Sequence, residues 1–221
     1  MKISQLHNWN ISPKDAIKLQ KTLAGRVIHN RPLNINTIQY VAGVDVSVKN
    51  NISRAAVVVL RFPELTVTET VTATMPTPFP YIPGLLSFRE GPVLIQAFEQ
   101  LHQEPDVFIF DGMGRMHPRR IGIASHIGLW LNKPTIGCGK THFIGTYDEP
   151  DNTRGAYCHV MDHGEIVGVV LRTRVNVKPV YISPGHLINL ESAIEITLAC
   201  TPKYRLPEPI RQAHNAAGSV L

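Results

Sequence analysis

Cysteine is scarce in this 221-residue chain, and its three cysteines lie far apart. Cys138, Cys158 and Cys200 form no Cys-x-x-Cys pair, so the sequence offers neither a thiolate zinc site nor a disulfide framework. Such isolated thiols are typical of small buried side chains in a reducing compartment. This usage predicts a cytoplasmic protein.

Long apolar runs are also missing. No window approaches the length of a membrane span, and the first ten residues lack the apolar stretch of a signal peptide. We therefore expect no membrane partner.

A complete phosphate-binding Gly-x-x-x-x-Gly-Lys-Ser/Thr loop is absent too, since residues 137–141 resemble only its last part. This absence disfavours an ATP-using enzyme.

The composition is that of an ordinary globular protein, with 43% hydrophobic and 18% charged residues. The length supports one substantial core, so residues 1–221 are predicted to form a single domain, and a monomer is the default expectation. The formal net charge of +5 suits a polyanionic partner. A modest basic excess is also common in proteins that bind no nucleic acid, so both interpretations stay open.

Hydrophobic patterning predicts an α/β fold. Residues 38–46, 54–62 and 65–74 are rich in Val, Ile and Thr between short breaks, which indicates an antiparallel meander. Helices are then predicted at 13–24, 89–102, 119–131, 189–199 and 208–218, and further strands at 106–111, 134–138, 157–162 and 165–173. This order fits a ribonuclease H-like mixed β-sheet flanked by helices.

Two of the predicted strands run directly into an aspartate. Residues 40–44 lead into Asp45, and residues 106–110 lead into Asp111. A carboxylate directly after an apolar strand is costly to bury without a partner or a metal. Side by side, the two would form a pair of hard oxygen ligands suited to Mg²⁺.

A proline-rich loop spans residues 76–84 and places Tyr81 among restricted backbone positions. A rigid exposed aromatic there could act as a wedge in a base stack, as apolar wedges do when a base is extruded. The alternative is a proline-rich turn whose Tyr81 packs on the core, because buried aromatics are common.

Several further motifs follow one another along the chain, namely Gly43-Val44-Asp45, Tyr81-Ile82-Pro83-Gly84-Leu85-Leu86-Ser87-Phe88-Arg89-Glu90, Asp111-Gly112, His117-Pro118-Arg119-Arg120, Ala124-Ser125-His126, Pro134-Thr135-Ile136-Gly137 and Lys140. Together these motifs resemble the endonuclease V family of deoxyinosine-directed DNA endonucleases. They occur in the family's order and cover nearly the whole chain. The resemblance implies a ribonuclease H-like fold and Mg²⁺-dependent cleavage, with Mn²⁺ as a substitute.

The resemblance also implies a reaction and a set of site residues. The expected reaction is hydrolysis of the second phosphodiester bond 3′ to the deaminated purine, leaving 3′-hydroxyl and 5′-phosphate ends. The implied metal ligands are Asp45, Asp111 and Glu90, completed as a catalytic set by Lys140 and His214. The implied wedge is Tyr81, with Pro80, Ile82 and Pro83 beside it in contact with DNA.

Each of the other catalytic assignments has a structural alternative. Glu90 is predicted near a helix start, where a carboxylate is favoured by the helix dipole alone. His214 lies on a predicted amphipathic helix, where an exposed or packed histidine is usual. Lys140 follows a strand and could be a solvated lysine.

Glycines near these motifs predict a pocket for the altered base, since missing side chains let a flat base approach the backbone. The pocket residues are expected to be Gly84, Leu86, Gly112, Gly122, Ile123 and Gly137, although turn formation explains each glycine singly. Met113, Met116 and Cys138 depart from what is usual in the family. The pocket lining is therefore expected to differ.

Two short basic runs are candidate phosphate contacts. The first comprises His117, Arg119 and Arg120, near a predicted helix start, and the second comprises Arg172, Arg174 and Lys178. In other sequences such runs are ordinary solvated faces. His186 is interpreted as structural.

The predicted function is repair of deoxyinosine-containing DNA by endonucleolytic cleavage. An inosine-specific endoribonuclease is the nearest alternative, because no motif reports contact with a ribose 2′-hydroxyl. A non-cleaving lesion-binding module is the alternative from another class. That module would need Tyr81 and a basic surface but not the acidic residues Asp45, Glu90 and Asp111.

Overall fold

The computed structural model describes residues 1, 3 and 5–218. The helices are α1 (Pro13–Ala24), α2 (Leu86–Glu99), α3 (Ile123–Leu131), α4 (Leu190–Ala199) and α5 (Glu208–Gly218). The strands are β1 (Tyr40–Lys49), β2 (Ile52–Arg61), β3 (Thr66–Pro76), β4 (Val107–Phe110), β5 (Thr135–Gly139), β6 (Tyr157–Asp162), β7 (Glu165–Leu171) and β8 (Val180–Pro184). A short 3-10 helix, Ile35–Thr37, precedes β1.

The strands form one eight-stranded mixed sheet in the order β3-β2-β1-β4-β5-β8-β7-β6. The predicted meander is confirmed, since β1 pairs antiparallel with β2 and β2 pairs antiparallel with β3. Next, β4 joins β1 and β5 joins β4, both in parallel. The mixed sheet flanked by helices is therefore the observed architecture.

Helices cover both faces of the sheet. Successive residues of β4 point to opposite faces, so Ile109 packs in one core cluster with residues of α4 and α5. Phe108 and Phe110 pack in a second cluster with residues of α2 and α3. Burial on both sides explains why β4 is a continuous apolar run instead of an alternating pattern.

The structure corrects three predicted elements. Strand β8 was not predicted, because it has only five residues and ends in Pro184, and proline is disfavoured within a sheet. In the structure it pairs with β5 and β7. Helix α3 begins at Ile123 and not at residue 119, because Arg120 has a φ of 59° and Gly122 is extended. Helix α2 begins at Leu86, three residues earlier than predicted.

Two sequence expectations concern absences. Among the helices of the described residues, none has both the length and the apolar character needed to cross a membrane. All three cysteines lie within the described residues and are free thiols. Burial raises the pKa of the Cys138 and Cys200 thiols, which keeps them protonated and unreactive.

A buried histidine ties the N-terminal segment to α2 and α3. The Nδ1 atom of His126 lies 2.8 Å from the Ser87 hydroxyl, and its Nε2 lies 2.8 Å from Nε2 of His7. The indole N–H of Trp130 donates to the same His7 nitrogen at 3.2 Å. Burial lowers the pKa of His126 from 6.5 to about 3, so this imidazole is neutral in the folded protein.

Protonation of His126 must accompany unfolding below neutral pH. The folded pKa lies below the unfolded one, so the contribution of His126 to stability is complete above pH 6.5 and falls as the pH drops toward about 3. We expect His126→Asn to remove about 1.4 kcal/mol per pH unit from that dependence. Denaturant unfolding at pH 7, 6 and 5 measures it, with the exposed His163→Asn as control, and equal slopes for both variants would contradict the assignment.

Candidate metal centre and base pocket

Asp45 and Asp111 lie side by side because of the register between two parallel strands. Val44 of β1 pairs with Phe110 of β4, and the Asp111 amide N–H donates to the Val44 carbonyl at 3.0 Å. The next residues on these strands are the two aspartates. The structure thus brings together the carboxylates that the sequence predicted as neighbours.

Helix α5 adds a histidine to this pair. Nδ1 of His214 lies 2.7 Å from Oδ2 of Asp45. One ligand atom each of Asp45, Asp111 and His214 fall within 4.8 Å of one another. Two carboxylates and an imidazole within this distance are a donor set that fits a divalent cation such as Mg²⁺ or Mn²⁺.

Gly43 allows α5 to approach β1 this closely. In β1, residues at odd positions such as Val41 and Asp45 face the side that carries α5. A Cβ atom on Gly43 would collide with the backbone carbonyl of Pro209, at the start of α5. The glycine therefore sets the depth at which α5 packs, and with it the position of His214.

Lys140 balances part of the negative charge. It directly follows β5, and its ammonium group forms an ion pair with the Asp111 carboxylate. The Arg205 guanidinium donates to the Lys140 carbonyl at 2.7 Å and fixes the backbone at this point. Burial and the charge of Asp111 raise the pKa of Asp45, while His214 and Lys140 act in the opposite direction.

Glu90 lies in the second turn of α2, not in its first turn as predicted, so the helix-dipole explanation of this acid does not hold. Its carboxylate is outside the group formed by Asp45, Asp111 and His214. Burial and the charges of Asp45 and Asp111 nevertheless raise the pKa of Glu90 to about 8. Three acidic groups therefore share one electrostatic environment, which favours binding of a cation.

A pocket of about 400 Å³ opens beside this centre. Five of the six predicted pocket residues line it, namely Gly84, Leu86, Gly112, Gly122 and Ile123. Gly137 lies beneath the lining, against the backbone of residues 112–114. Asp111 and Lys140 line the same pocket, so a molecule bound there lies next to the carboxylates.

Sequence reasoning missed part of this lining. Met113 and Phe143 both contribute to the pocket, and the Phe143 ring lies 5.9 Å from that of His117. Met113 was noted only as a departure from the family pattern. Met116, the second such departure, is buried in a different cluster with Val160 and does not touch the pocket.

The tip of the proline-rich loop is exposed. The Tyr81 residue is 70% accessible, which rules out the alternative that it packs on the core. The following residues form a tight turn in which the Leu85 N–H donates to the Ile82 carbonyl at 2.9 Å. Pro83 and Gly84, with a φ of 80° at the glycine, suit the two central positions of a type II turn.

Three side chains hold this turn from below through the Gly84 carbonyl. It accepts hydrogen bonds from Arg119 Nη2 at 2.7 Å, from Gln20 Nε2 at 3.0 Å and from His117 Nε2 at 3.0 Å. Burial and the nearby charge of Arg119 lower the pKa of His117 to about 4, which keeps its ring neutral. His117 and Arg119 therefore support the loop from inside, and their contact with phosphate stays a prediction.

Of the other basic candidates, Arg120 and Arg172 are paired within the protein, and Arg174 and Lys178 are exposed. Arg120 pairs with Asp162 at 2.7 Å and with Glu165 at 2.8 Å. Arg172 is buried and donates to Glu149 at 2.8 Å and to three backbone carbonyls, so it is structural and not a phosphate contact. His186 is buried, as its structural interpretation requires.

The sequence profile of the endonuclease V family matches residues 21–215. The chain belongs to this family. Endonuclease V of Trichormus variabilis is 50% identical over 221 residues, which cover 99% of this chain and 100% of the relative. Endonuclease V of Methanothrix thermoacetophila is 48% identical over 214 residues, covering 97% of this chain and 94% of that protein. Membership places the chain in a nuclease family.

Solved endonuclease V structures share the architecture. The Streptomyces avermitilis protein is 40% identical and has a TM-score of 0.91, covering 95% of this chain and 93% of that one. Endonuclease V of Ciona intestinalis, in complex with a 23mer DNA containing an inosine followed by a ribo-adenosine, is 28% identical. It has a TM-score of 0.83 and covers 94% of this chain and 97% of its own. The predicted ribonuclease H-like fold is confirmed.

Gly43→Ala tests how closely α5, the helix that carries His214, packs against β1. The added methyl group must push the start of α5 away from β1, so we expect a loss of about 1–3 kcal/mol in the free energy of unfolding. Gly25→Ala is the matched control, because Gly25 has a right-handed φ of −67° and only one atom, 3.9 Å away, near the added Cβ. Thermal and denaturant unfolding measure both variants, and equal stability would contradict close packing at Gly43.

Proposed function

We propose that this endonuclease V is a Mg²⁺-dependent DNA repair nuclease that acts on deoxyinosine. The reaction is hydrolysis of the second phosphodiester bond 3′ to the altered base, with 3′-hydroxyl and 5′-phosphate products. The observation that carries the proposal is the shared wall of the metal centre and the pocket. Asp111 belongs to both, so a base held in the pocket keeps its own strand beside the carboxylates.

The metal centre supplies the charge that phosphodiester hydrolysis needs. Asp45 and Asp111 would hold a divalent cation, which would supply positive charge for the phosphate and for the departing 3′ oxygen. Burial and the two aspartates raise the pKa of Glu90 to about 8, so a cation bound at this centre would favour the ionised form of its carboxyl group. Mn²⁺ has similar ligand preferences and is expected to substitute for Mg²⁺.

His214 is assigned the removal of a proton from the attacking water, and Lys140 is assigned the stabilisation of charge on the phosphate. When Nδ1–H of His214 donates to Asp45, its Nε2 carries a free lone pair that accepts a proton from the attacking water. Water adds to phosphorus, the bond from phosphorus to the 3′ oxygen breaks, and that oxygen leaves as a hydroxyl after protonation by solvent. The ammonium group of Lys140 stabilises the negative charge on the reacting phosphate.

The pocket suits a purine that has been extruded from the duplex. Its apolar walls include Leu86, Ile123, Met113 and Phe143, which offer surfaces for stacking. Its glycines expose backbone donors and acceptors to the edge of the base. Hypoxanthine differs from adenine in having an O6 acceptor and an N1–H donor, so backbone groups at this edge can discriminate the two bases.

Cleavage of inosine in RNA is the second candidate function. The Ciona intestinalis complex contains DNA in which a ribo-adenosine follows the inosine. A single ribose at that position is thus compatible with the family's substrate site. A non-cleaving lesion-binding module is disfavoured, because it has no use for Asp45 and Asp111 at ligand distance.

End-labelled duplexes that carry one deoxyinosine, one inosine or one adenosine at the same position test the function. We expect Mg²⁺-dependent cleavage one nucleotide beyond deoxyinosine, no cleavage in EDTA, and a loss of at least about 100-fold for Asp45→Asn. Preferred cleavage of the inosine strand would move the function to RNA. Retention of the lesion duplex without cleavage in any lane would contradict the nuclease assignment.

Tyr81 is expected to fill the gap that the extruded base leaves in the stack. Removing an aromatic ring that stacks on bases costs about 1–3 kcal/mol, so Tyr81→Ala should weaken binding to the deoxyinosine duplex roughly 5- to 150-fold. Tyr81→Phe keeps the ring and should retain most of the affinity. Tyr157→Ala, at a 46% exposed tyrosine on β6, is the control, and a loss no larger for Tyr81→Ala than for this control would reject the wedge.

A further inference from the structure

The basic excess of the chain is concentrated near its N-terminus. Residues 13–31 contain one acidic residue and five basic ones, namely Lys14, Lys18, Lys21, Arg26 and Arg31. The whole chain has 22 Lys and Arg against 17 Asp and Glu, so this segment supplies most of the excess. All five basic residues are exposed. A solvated surface usually mixes charges of both signs, whereas Asp15 is the one acidic residue among the five basic ones of this segment.

Two of these lysines lie on the same flank of α1. Lys14 and Lys21 are seven residues apart, which is close to two helical turns. Ile17 lies between them, three residues after Lys14 and four residues before Lys21, so the three side chains form one strip. We call the Lys14 and Lys21 side of this strip the basic flank.

The basic flank adjoins the loop that carries Tyr81. Ile17 packs in a core cluster that also contains Phe79 and Ile82, on either side of the loop tip. On the same helix, Gln20 lines the base pocket and donates to the Gly84 carbonyl at 3.0 Å. The flank is therefore continuous with the surface where the altered base would leave the duplex.

The charges of the basic flank are not neutralised within the protein. Asp15 lies 3.6 Å from Lys18 and also accepts a hydrogen bond from Ser12. Lys14 and Lys21 form no ion pair within 4.0 Å with any carboxylate of the described residues. By contrast, Arg120 and Arg172, which the sequence singled out as phosphate contacts, are held by internal carboxylates.

We infer that the basic flank binds the phosphate backbone of the nucleic acid whose altered base enters the pocket, an inference that rests on the proposed function. Lysine is a flexible point charge, so this contact is independent of base sequence and positions the strand relative to Tyr81. Its partner is the duplex outside the lesion. The surface extends the nucleic-acid footprint beyond the residues that recognise or cleave the substrate.

The test compares two variants that lose the same charge. Lys14→Gln with Lys21→Gln removes the basic flank, and Arg61→Gln with Lys133→Gln removes two positive charges at the end of the strands opposite Asp45 and Asp111, where β2 ends and just before β5 begins. Binding to a deoxyinosine duplex is measured in Ca²⁺ over a range of salt concentrations. We expect the flank variant to bind about tenfold more weakly at 100 mM salt, with a salt slope shallower by about 1 to 2.

Shortening the duplex identifies where the flank makes contact. Removing base pairs on one side of the lesion should weaken binding by the wild-type protein but not by the flank variant, since that variant has already lost the contact. Equal affinity, salt slope and length dependence for the flank and control variants would overturn the inference, while wild-type cleavage of the same duplex would leave the proposed function intact. Flank-dependent binding to phosphatidylserine vesicles, without any effect on duplex binding, would assign the flank to a membrane and also overturn it.

Discussion

Electrostatic repulsion between Asp45 and Asp111 is the constraint around which the site is arranged. The parallel register of β1 and β4 fixes the two carboxylates beside each other, and burial and the charge of Asp111 raise the pKa of Asp45. Lys140 and His214 each offset part of that repulsion by pairing with one of them. Glu90 is a third acidic group, whose pKa burial and the two aspartates raise to about 8, and a divalent cation would offset the repulsion among these groups.

The same register determines which helix can reach the carboxylates. The alternation of side chains along β1 turns Asp45 toward the face that α5 covers, and Gly43 lets α5 come close enough for His214 to bond to Asp45. A residue with a side chain at Gly43 would leave the sheet intact but move the histidine. Packing at Gly43, which takes no part in the chemistry, thus controls where His214 lies relative to Asp45.

Much of the fold and the carboxylate pair could be predicted from sequence, because both follow from local patterns. An apolar run that ends in Asp predicts both a strand and a carboxylate at its end, as in residues 106–111. What could not be predicted depends on distant partners. From the sequence, Arg119 and Arg172 were interpreted as cations available to phosphate. In the structure, Arg119 donates to the Gly84 carbonyl and Arg172 donates to the Glu149 carboxylate. Strand β8 likewise depends on its partners, since it lies between β5 and β7 and pairs with both.

The Gly84 carbonyl connects the recognition elements into one unit. It receives hydrogen bonds from α1 through Gln20 and from the segment before α3 through His117 and Arg119, while Tyr81 directly precedes its turn. Movement of α1 would therefore move the exposed tyrosine and one wall of the base pocket together. A phosphate held on the outer flank of α1 would hold this helix in place, so contact with the distant backbone and placement of the wedge would reinforce each other. Weak sequence-independent contacts can in this way contribute to lesion selectivity without touching the altered base.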